Sequence, residues 1–362
     1  MIWPKRLYVL DASRGLAALA VVVYHWKHFS ATIPLPATNY LKILYIHGQE
    51  GVNYFFILSG FIFFWIYKDR ITSRSISLKR FALYRFARLY PLHLLTLVFV
   101  AVCQLVYMTA TDHYFIYGFN DVYHFLLNLV LINQWGFQSG GSFNGPVWSV
   151  SVEELMYLIF FALCLMRIGK ATFCIGASVV MFLVGKSLYF EHEVFNGLSM
   201  FFLGGFVYHM TRYVSAKGNV VLTSLVQFIA LASWIYVIAH YYYTPIAEPI
   251  RSLGPIGTDF MEFFPGYILF SFTICSLALF EINGVLSAKR LAWLGDLSYS
   301  MYMIHFPLQM VCVIAVFYRA IEPTFFTRPI SLVLFMAILI GLSKFLHTNF
   351  EAPLRKLIRG GR

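Results

Sequence analysis

Ten long apolar stretches recur along the chain, at residues 9–30, 51–68, 81–108, 147–167, 171–189, 197–212, 221–243, 264–281, 299–318 and 329–349. A helix crossing the hydrocarbon of a bilayer needs about 20 such residues. The pattern therefore predicts an all-α protein, a polytopic transmembrane bundle of about ten spans. Composition leaves little else. Only 12% of the 362 residues are charged and the mean hydropathy is +0.72, whereas soluble domains carry roughly 25% charge. Aromatic residues make up 19% of the chain, which excludes disorder. Five scattered cysteines exclude a small disulfide-stapled module. They lie in or beside apolar runs without CxxC spacing and read as packing residues. Segment 122–135 is apolar but short. It reads as an interfacial or re-entrant helix, with an eleventh span as the alternative.

The net charge of +11, from 27 Lys+Arg against 16 Asp+Glu, resolves mostly into topology. With Lys5 and Arg6 placed in the cytoplasm, the loops on that side carry Lys68, Arg70, Arg74, Lys79, Arg80, Arg167, Lys170, Arg212, Lys217, Lys289 and Arg290. The end of the chain adds Arg355, Lys356, Arg359 and Arg362. The opposite loops carry Lys42, Arg251, Arg319 and Arg328, and residues 109–146 contain no Lys or Arg. This positive-inside asymmetry predicts an even number of spans with both termini cytoplasmic. It calls for no nucleic acid. No cleavable signal peptide and no internal repeat is evident, so residues 1–362 read as a single membrane-embedded domain.

Ionisable residues inside a span are rare and usually functional. The first span holds Asp11, Arg14 and His25. Asp11 and Arg14 stand at i, i+3 and can pair. Arg14 and His25 are eleven residues apart, so on an ideal helix they lie within about 20° of one face and about 16 Å apart along the axis. The plainer reading is a structural Asp–Arg pair plus an interfacial histidine. The third span begins KRFALYRFARLYP, putting Arg85 and Arg88 at i, i+3. Two guanidinium forks on one face suit phosphate oxygens. A positive-inside cluster accounts for Lys79 and Arg80 but poorly for Arg88, a turn or two into the span. The fourth span opens VWSVSVEELMY. Helix-start chemistry explains part of its polarity, but two adjacent carboxylates, Glu153 and Glu154, cannot both be caps. The ninth span carries Ser298, Tyr299 and His305. Near the end of the chain, Glu351 and Arg355 stand at i, i+4 with Pro353 between them.

Five segments in order, LDASRGLAAL with His25 eleven residues after Arg14, GVNYFFILSGF, RFARLYP, WSVSVEELMY and LSYSMYMIHFPL, resemble the membrane acyltransferase-3 family of O-acetyltransferase-type integral membrane proteins. The resemblance covers residues 7 to about 356. Ala12-Ser13 departs from the glycine common before the arginine, and no ionisable motif residue is lost. Some members carry a C-terminal SGNH hydrolase-like domain, for which this chain leaves no room. The resemblance implies transfer of an acyl group, by default acetyl, from cytoplasmic acyl-CoA to a hydroxyl of a cell-envelope or exported carbohydrate, in the inner membrane of a bacterium. No metal is implied.

The residue chemistry fits that implication. His25 is the candidate base, with an acyl-histidine intermediate as the alternative, and Glu153 or Glu154 would orient it or bind the acceptor. Arg14, Arg85, Arg88 and Asp11 are the candidate donor-binding residues. Ser151, Trp148, Tyr299, His305 and Ser59 are the candidates on the substrate side, with His305 also a second candidate base. Loops 31–50, 109–146 and 244–263 face outward on this topology, and aromatics such as Tyr40, Tyr114, Tyr117 and Tyr243 suit sugar stacking or an interfacial belt equally. The competing class is a proton-coupled transporter or flippase of a glycolipid or small molecule. Its usual inverted-repeat symmetry is not visible.

Overall fold

The computed structural model describes residues 3–29, 34–187, 192–242 and 263–360, and these are almost wholly helical, with no strand among them. Loop 244–263, with Arg251, falls outside them except for its last residue, as do Tyr243, residues 31–33 and Arg362. The helices are α1 (Tyr8–His25), α2 (Thr38–His47), α3 (Gly51–Ile66), α4 (Lys68–Thr72), α5 (Leu78–Thr111), α6 (Val122–Leu129), α7 (Val147–Leu165), α8 (Ala171–Ser187), α9 (His192–Lys217), α10 (Val220–Tyr242), α11 (Pro265–Ile282), α12 (Ala292–Phe317) and α13 (Pro329–Ile358). Six of them, α5, α7, α10, α11, α12 and α13, are long and apolar enough to cross a membrane. The other expected spans also fold as helices: α1 has 18 residues, α3 has 16, α8 has 17 and α9 has 26. Segment 122–135 contains only the eight-residue α6. At 1.5 Å per residue that is about 12 Å, too short for a crossing.

The chain forms two compact units: residues 1–17, 49–73 and 162–296 in the first, and 18–48, 74–161 and 297–362 in the second. In the first, α3 and α9 meet backbone to backbone. A methyl group on Gly60 would strike the carbonyl of Phe201, and one on Gly204 the carbonyl of Ile57. Small residues permit this approach, and close packing replaces the hydrophobic drive that lipid does not supply. Hydroxyl groups bond across helices in the same unit: Tyr267 Oη lies 2.7 Å from Ser178 Oγ and 2.8 Å from Ser199 Oγ. The Glu281 carboxylate accepts from the Val9 backbone N–H at 2.8 Å, satisfying one of the open donors that start α1.

The second unit is built on the 34-residue α5. Leu97, Val100 and Cys103 of α5 pack with Phe115, Phe143, Phe306 and Met310 into an apolar core. The loop after α5 is held by side-chain amides. Gln104 donates to the Phe115 carbonyl at 3.0 Å and accepts from its N–H at 2.9 Å. Asn120 Oδ1 accepts from Phe143 N–H at 2.6 Å. α6 is clamped by His124, whose Nδ1 lies 2.9 Å from Asp121 and whose Nε2 accepts from Ser139 N–H at 3.1 Å. Backbone and ring contacts from His124 hold the Asp121 carboxyl below its usual range. α13 continues through Pro353 because the turn before it, His347–Glu351, widens into π geometry, which accommodates the missing N–H and the ring. That turn sends Glu351 inward to accept a short hydrogen bond from Ser300 Oγ, with His347 Nδ1 at 3.9 Å. Glu351 thus turns to Ser300 of α12 rather than along its own helix.

Candidate functional site

Asp11 and Arg14 pair as their spacing predicts, in the first unit. Arg14 Nη2 lies 3.3 Å from Asp11 Oδ1 and donates to the Gly295 carbonyl at 2.7 Å. Arg6 completes the network, with Nε 2.5 Å from Asp11 Oδ2 and Nη2 2.7 Å from Asp296 Oδ1. The geometry depends on close approach of α1 and α12, where a methyl on Gly15 would meet Leu294 and one on Gly295 would meet the Asp11 backbone. Arg14 is thus held from two sides, half-buried. Ser13 beside it accepts from Tyr54 Oη at 2.6 Å. Ser59 also belongs to this unit, half-buried on α3.

His25 ends α1, in the second unit, and its ring is one of a histidine group. The His25 centroid lies 5.0 Å from that of His28 and 5.0 Å from that of His305. His25 Nδ1 sits 3.0 Å from the Val21 carbonyl and 3.2 Å from His305 Nε2. His305 is fully buried, and its Nδ1 lies 2.6 Å from the Tyr302 carbonyl. Gln309, one turn further along α12, donates from Nε2 to the His25 carbonyl at 2.9 Å. Tyr302 Oη donates to the Pro146 carbonyl at 2.9 Å and lies 2.7 Å from Ser149 Oγ. Asn144 Nδ2 donates to the Met303 carbonyl at 3.0 Å. The start of α7 and the middle of α12 are thereby fixed around the His305 ring. Among the described residues no group of three or more His, Cys, Asp or Glu side chains stands ready to hold a metal.

Glu153, Glu154, Arg85, Arg88 and Tyr299 form a separate polar group in the same unit. Arg85 is buried on α5, with its guanidinium 5.7 Å from the Tyr157 ring centroid. Glu154 lies within electrostatic reach of Arg85 and Glu153. Tyr299 donates to the Leu89 carbonyl at 2.5 Å and lies within electrostatic reach of Glu351, Glu153, Arg88 and Glu154. Ser151 turns away, its Oγ accepting from Gln134 N–H at 3.2 Å. Trp148 stands in the first turn of α7, half-buried.

The structure therefore brings together Asp11 with Arg14 and His25 with His305, and puts Glu154 within electrostatic reach of Arg85. The group meeting the His25 ring nitrogen is His305. Gln309, Tyr302 and Ser149 support the histidine pair and were not singled out as site residues by sequence. Gln309 and Tyr302 stand at i+4 and i−3 from His305, a spacing that places them on its helix face.

Comparison with known proteins gives the family. A family model described as an acyltransferase domain matches residues 7–348. Over 302 residues the chain is 26% identical to ORF330 of Acidianus two-tailed virus, whose name marks it provisionally as an acetyltransferase; the match covers 81% of this chain and 80% of that one. It is 31% identical over 157 residues to acyltransferase MdmB of Streptomyces mycarofaciens, covering 43% of this chain and 38% of that one. It is 22% identical over 339 residues to peptidoglycan O-acetyltransferase OatA of Listeria monocytogenes, covering 84% of this chain and 50% of that one. The chain thus spans half or less of the length of these last two relatives. No solved structure matches. With helices long and apolar enough to cross a membrane and a family match running through nearly every one of them, the chain belongs to the acyltransferase-3 family.

Proposed function

We propose that this protein is an integral membrane O-acyltransferase of a bacterial inner membrane, with 1–362 acting as one catalytic domain, about ten spans and both termini cytoplasmic. It moves an acyl group, acetyl by default, from cytoplasmic acyl-CoA to a hydroxyl of an envelope or exported carbohydrate or glycolipid. The observation that carries this reading is His25. It stands at the end of a helix that also holds an arginine anchored on two sides, its Nδ1 is engaged, and its Nε2 has no partner among the described residues. An imidazole with one nitrogen tied and one available is suited to proton transfer near neutral pH.

In this reading the acceptor hydroxyl gives its proton to His25 Nε2 as its oxygen attacks the thioester carbonyl. The carbon–sulfur bond then breaks, and the departing thiolate of CoA takes that proton back. Atoms and charge balance, and His25 returns neutral. Arg85 and Arg88 are assigned to the donor's phosphates, where guanidinium forks match phosphate oxygens. Arg14, oriented by Asp11 and the Gly295 carbonyl, is assigned to the donor independently. Glu153 and Glu154 set the charge around Arg85. Trp148, Ser151, Tyr299 and Ser59 are assigned to positioning substrates and helices, and aromatic outer-loop residues to the sugar.

Purified protein in liposomes, supplied with acetyl-CoA and a panel of mono- and disaccharides, tests the proposal. Saccharide-dependent release of CoA, with an acetyl ester on the sugar, is the expected result. Movement of sugar across the bilayer without CoA release would make the protein a carrier instead.

A further inference from the structure

His305 is too deeply placed to be a spare base, and its hydrogen bonds give it a definite duty. Its Nδ1 lies 2.6 Å from the Tyr302 carbonyl. A carbonyl only accepts, so that nitrogen carries a proton. A neutral imidazole protonated there presents a bare Nε2, and this is the atom 3.2 Å from His25 Nδ1. His25 Nδ1 also lies 3.0 Å from the Val21 carbonyl, a second pure acceptor. Two acceptors converge on one nitrogen, so His25 Nδ1 is the N–H they share. A doubly protonated His305 would set its own N–H against that one, which the arrangement forbids.

We propose that His305 is a positioning residue that holds His25 in the Nδ1–H tautomer, so that Nε2 presents its lone pair to the acceptor hydroxyl. This deepens the reading of His25 as base and rests on it. The Val21 carbonyl alone is a weak guide, because it is the i−4 acceptor of the helix and already serves the backbone N–H of His25. His305 is itself well anchored. Tyr302, whose carbonyl it grips, is braced by Ser149 and the Pro146 carbonyl, and Gln309 holds the His25 carbonyl from the same helix. The orienting role that a carboxylate fills in many acid–base sites is here filled by a neutral imidazole, which adds no charge to a buried site.

The test uses the full-length protein in liposomes, with histidine labelled in carbon and nitrogen for solid-state NMR and the His25 signal assigned by its loss in His25→Asn. Wild-type His25 should carry its proton on Nδ1. His305→Gln, whose amide oxygen can take the place of Nε2, should keep that tautomer and at least about a third of the CoA-release rate. His305→Phe removes the acceptor and should give a mixed tautomer and a roughly ten-fold slower rate, the order expected for one buried hydrogen bond, with the KM for acetyl-CoA unchanged. A wild-type His25 protonated on Nε2 would overturn the proposal, and this measurement stands even if His305→Phe fails to fold. So would full activity and an unmixed tautomer in His305→Phe, or a His305→Gln protein as slow as His305→Phe. Failure of the parent reading looks different: His25→Ala would then retain turnover, whatever tautomer the wild type shows.

Discussion

Replacing Gly295 with Ala places a methyl 2.8 Å from Asp11 Cα and closer still to its carbonyl. Ordinary carbon contacts lie near 3.5–4.0 Å, so α1 and α12 must part by about 1 Å. That motion acts directly on the 2.7 Å hydrogen bond from Arg14 Nη2 to the Gly295 carbonyl. Overpacking costs about 1–3 kcal/mol, and weakening a bond to a charged donor adds part of its roughly 1.5–3 kcal/mol. Gly295→Ala should therefore destabilise by about 2–4 kcal/mol, seen as a fall of several degrees in thermal unfolding in detergent. Gly341→Ala is the control. That glycine lies in α13 with nothing within 4 Å of an added methyl, so the change should be neutral or stabilising by up to about 1 kcal/mol through helix propensity. Arg14→Met in both backgrounds completes the argument, since substitutions that share one hydrogen bond should not add. Equal stability of the two alanine variants, or strict additivity with Arg14→Met, would mean that the Gly295 contact does not hold Arg14 in place.

Three further outcomes follow from the same contacts. Arg85→Ala and Arg88→Ala should raise the KM for acetyl-CoA several-fold with a smaller change in kcat; an unchanged KM would place the phosphates elsewhere. Glu281→Ala removes the acceptor for Val9 N–H and should cost about 1–2 kcal/mol, read by thermal unfolding, with Glu281→Gln milder. Because contacts from His124 lower the Asp121 pKa, their stabilisation is complete above the ordinary carboxylate value, about 3.9, and is lost as pH falls through the lower folded value. Limited proteolysis of loop 112–146 should accordingly separate wild type from Asp121→Asn at neutral pH and not at strongly acid pH.

How far the sequence led can be followed residue by residue. Asp11 and Arg14 were legible because both partners lie on one helix at i, i+3, a spacing that geometry alone makes neighbours. His25 was legible because an ionisable group in an apolar run is costly enough to need a reason. What escaped were pairings between helices. His25 and His305 are 280 residues apart, and periodicity within either helix carries no information about the other. The Gly60–Gly204 and Gly15–Gly295 approaches were hidden for the same reason. Glu351 belongs with these: the π turn ahead of Pro353 carries its carboxylate to Ser300, on another helix. α12 also begins at Ala292, seven residues before the expected span, because Gly295, Asp296 and Ser298 interrupt the apolar pattern there while the helix runs through them.

If His25 moves the proton in acyl transfer, its loss is read in the saccharide-dependent rate of CoA release by the His25→Ala protein in liposomes. The expected result is a loss of about 100-fold or more, the contribution of a positioned general base, with acetyl-CoA binding retained. Turnover near that of the wild type would mean that another group moves the proton.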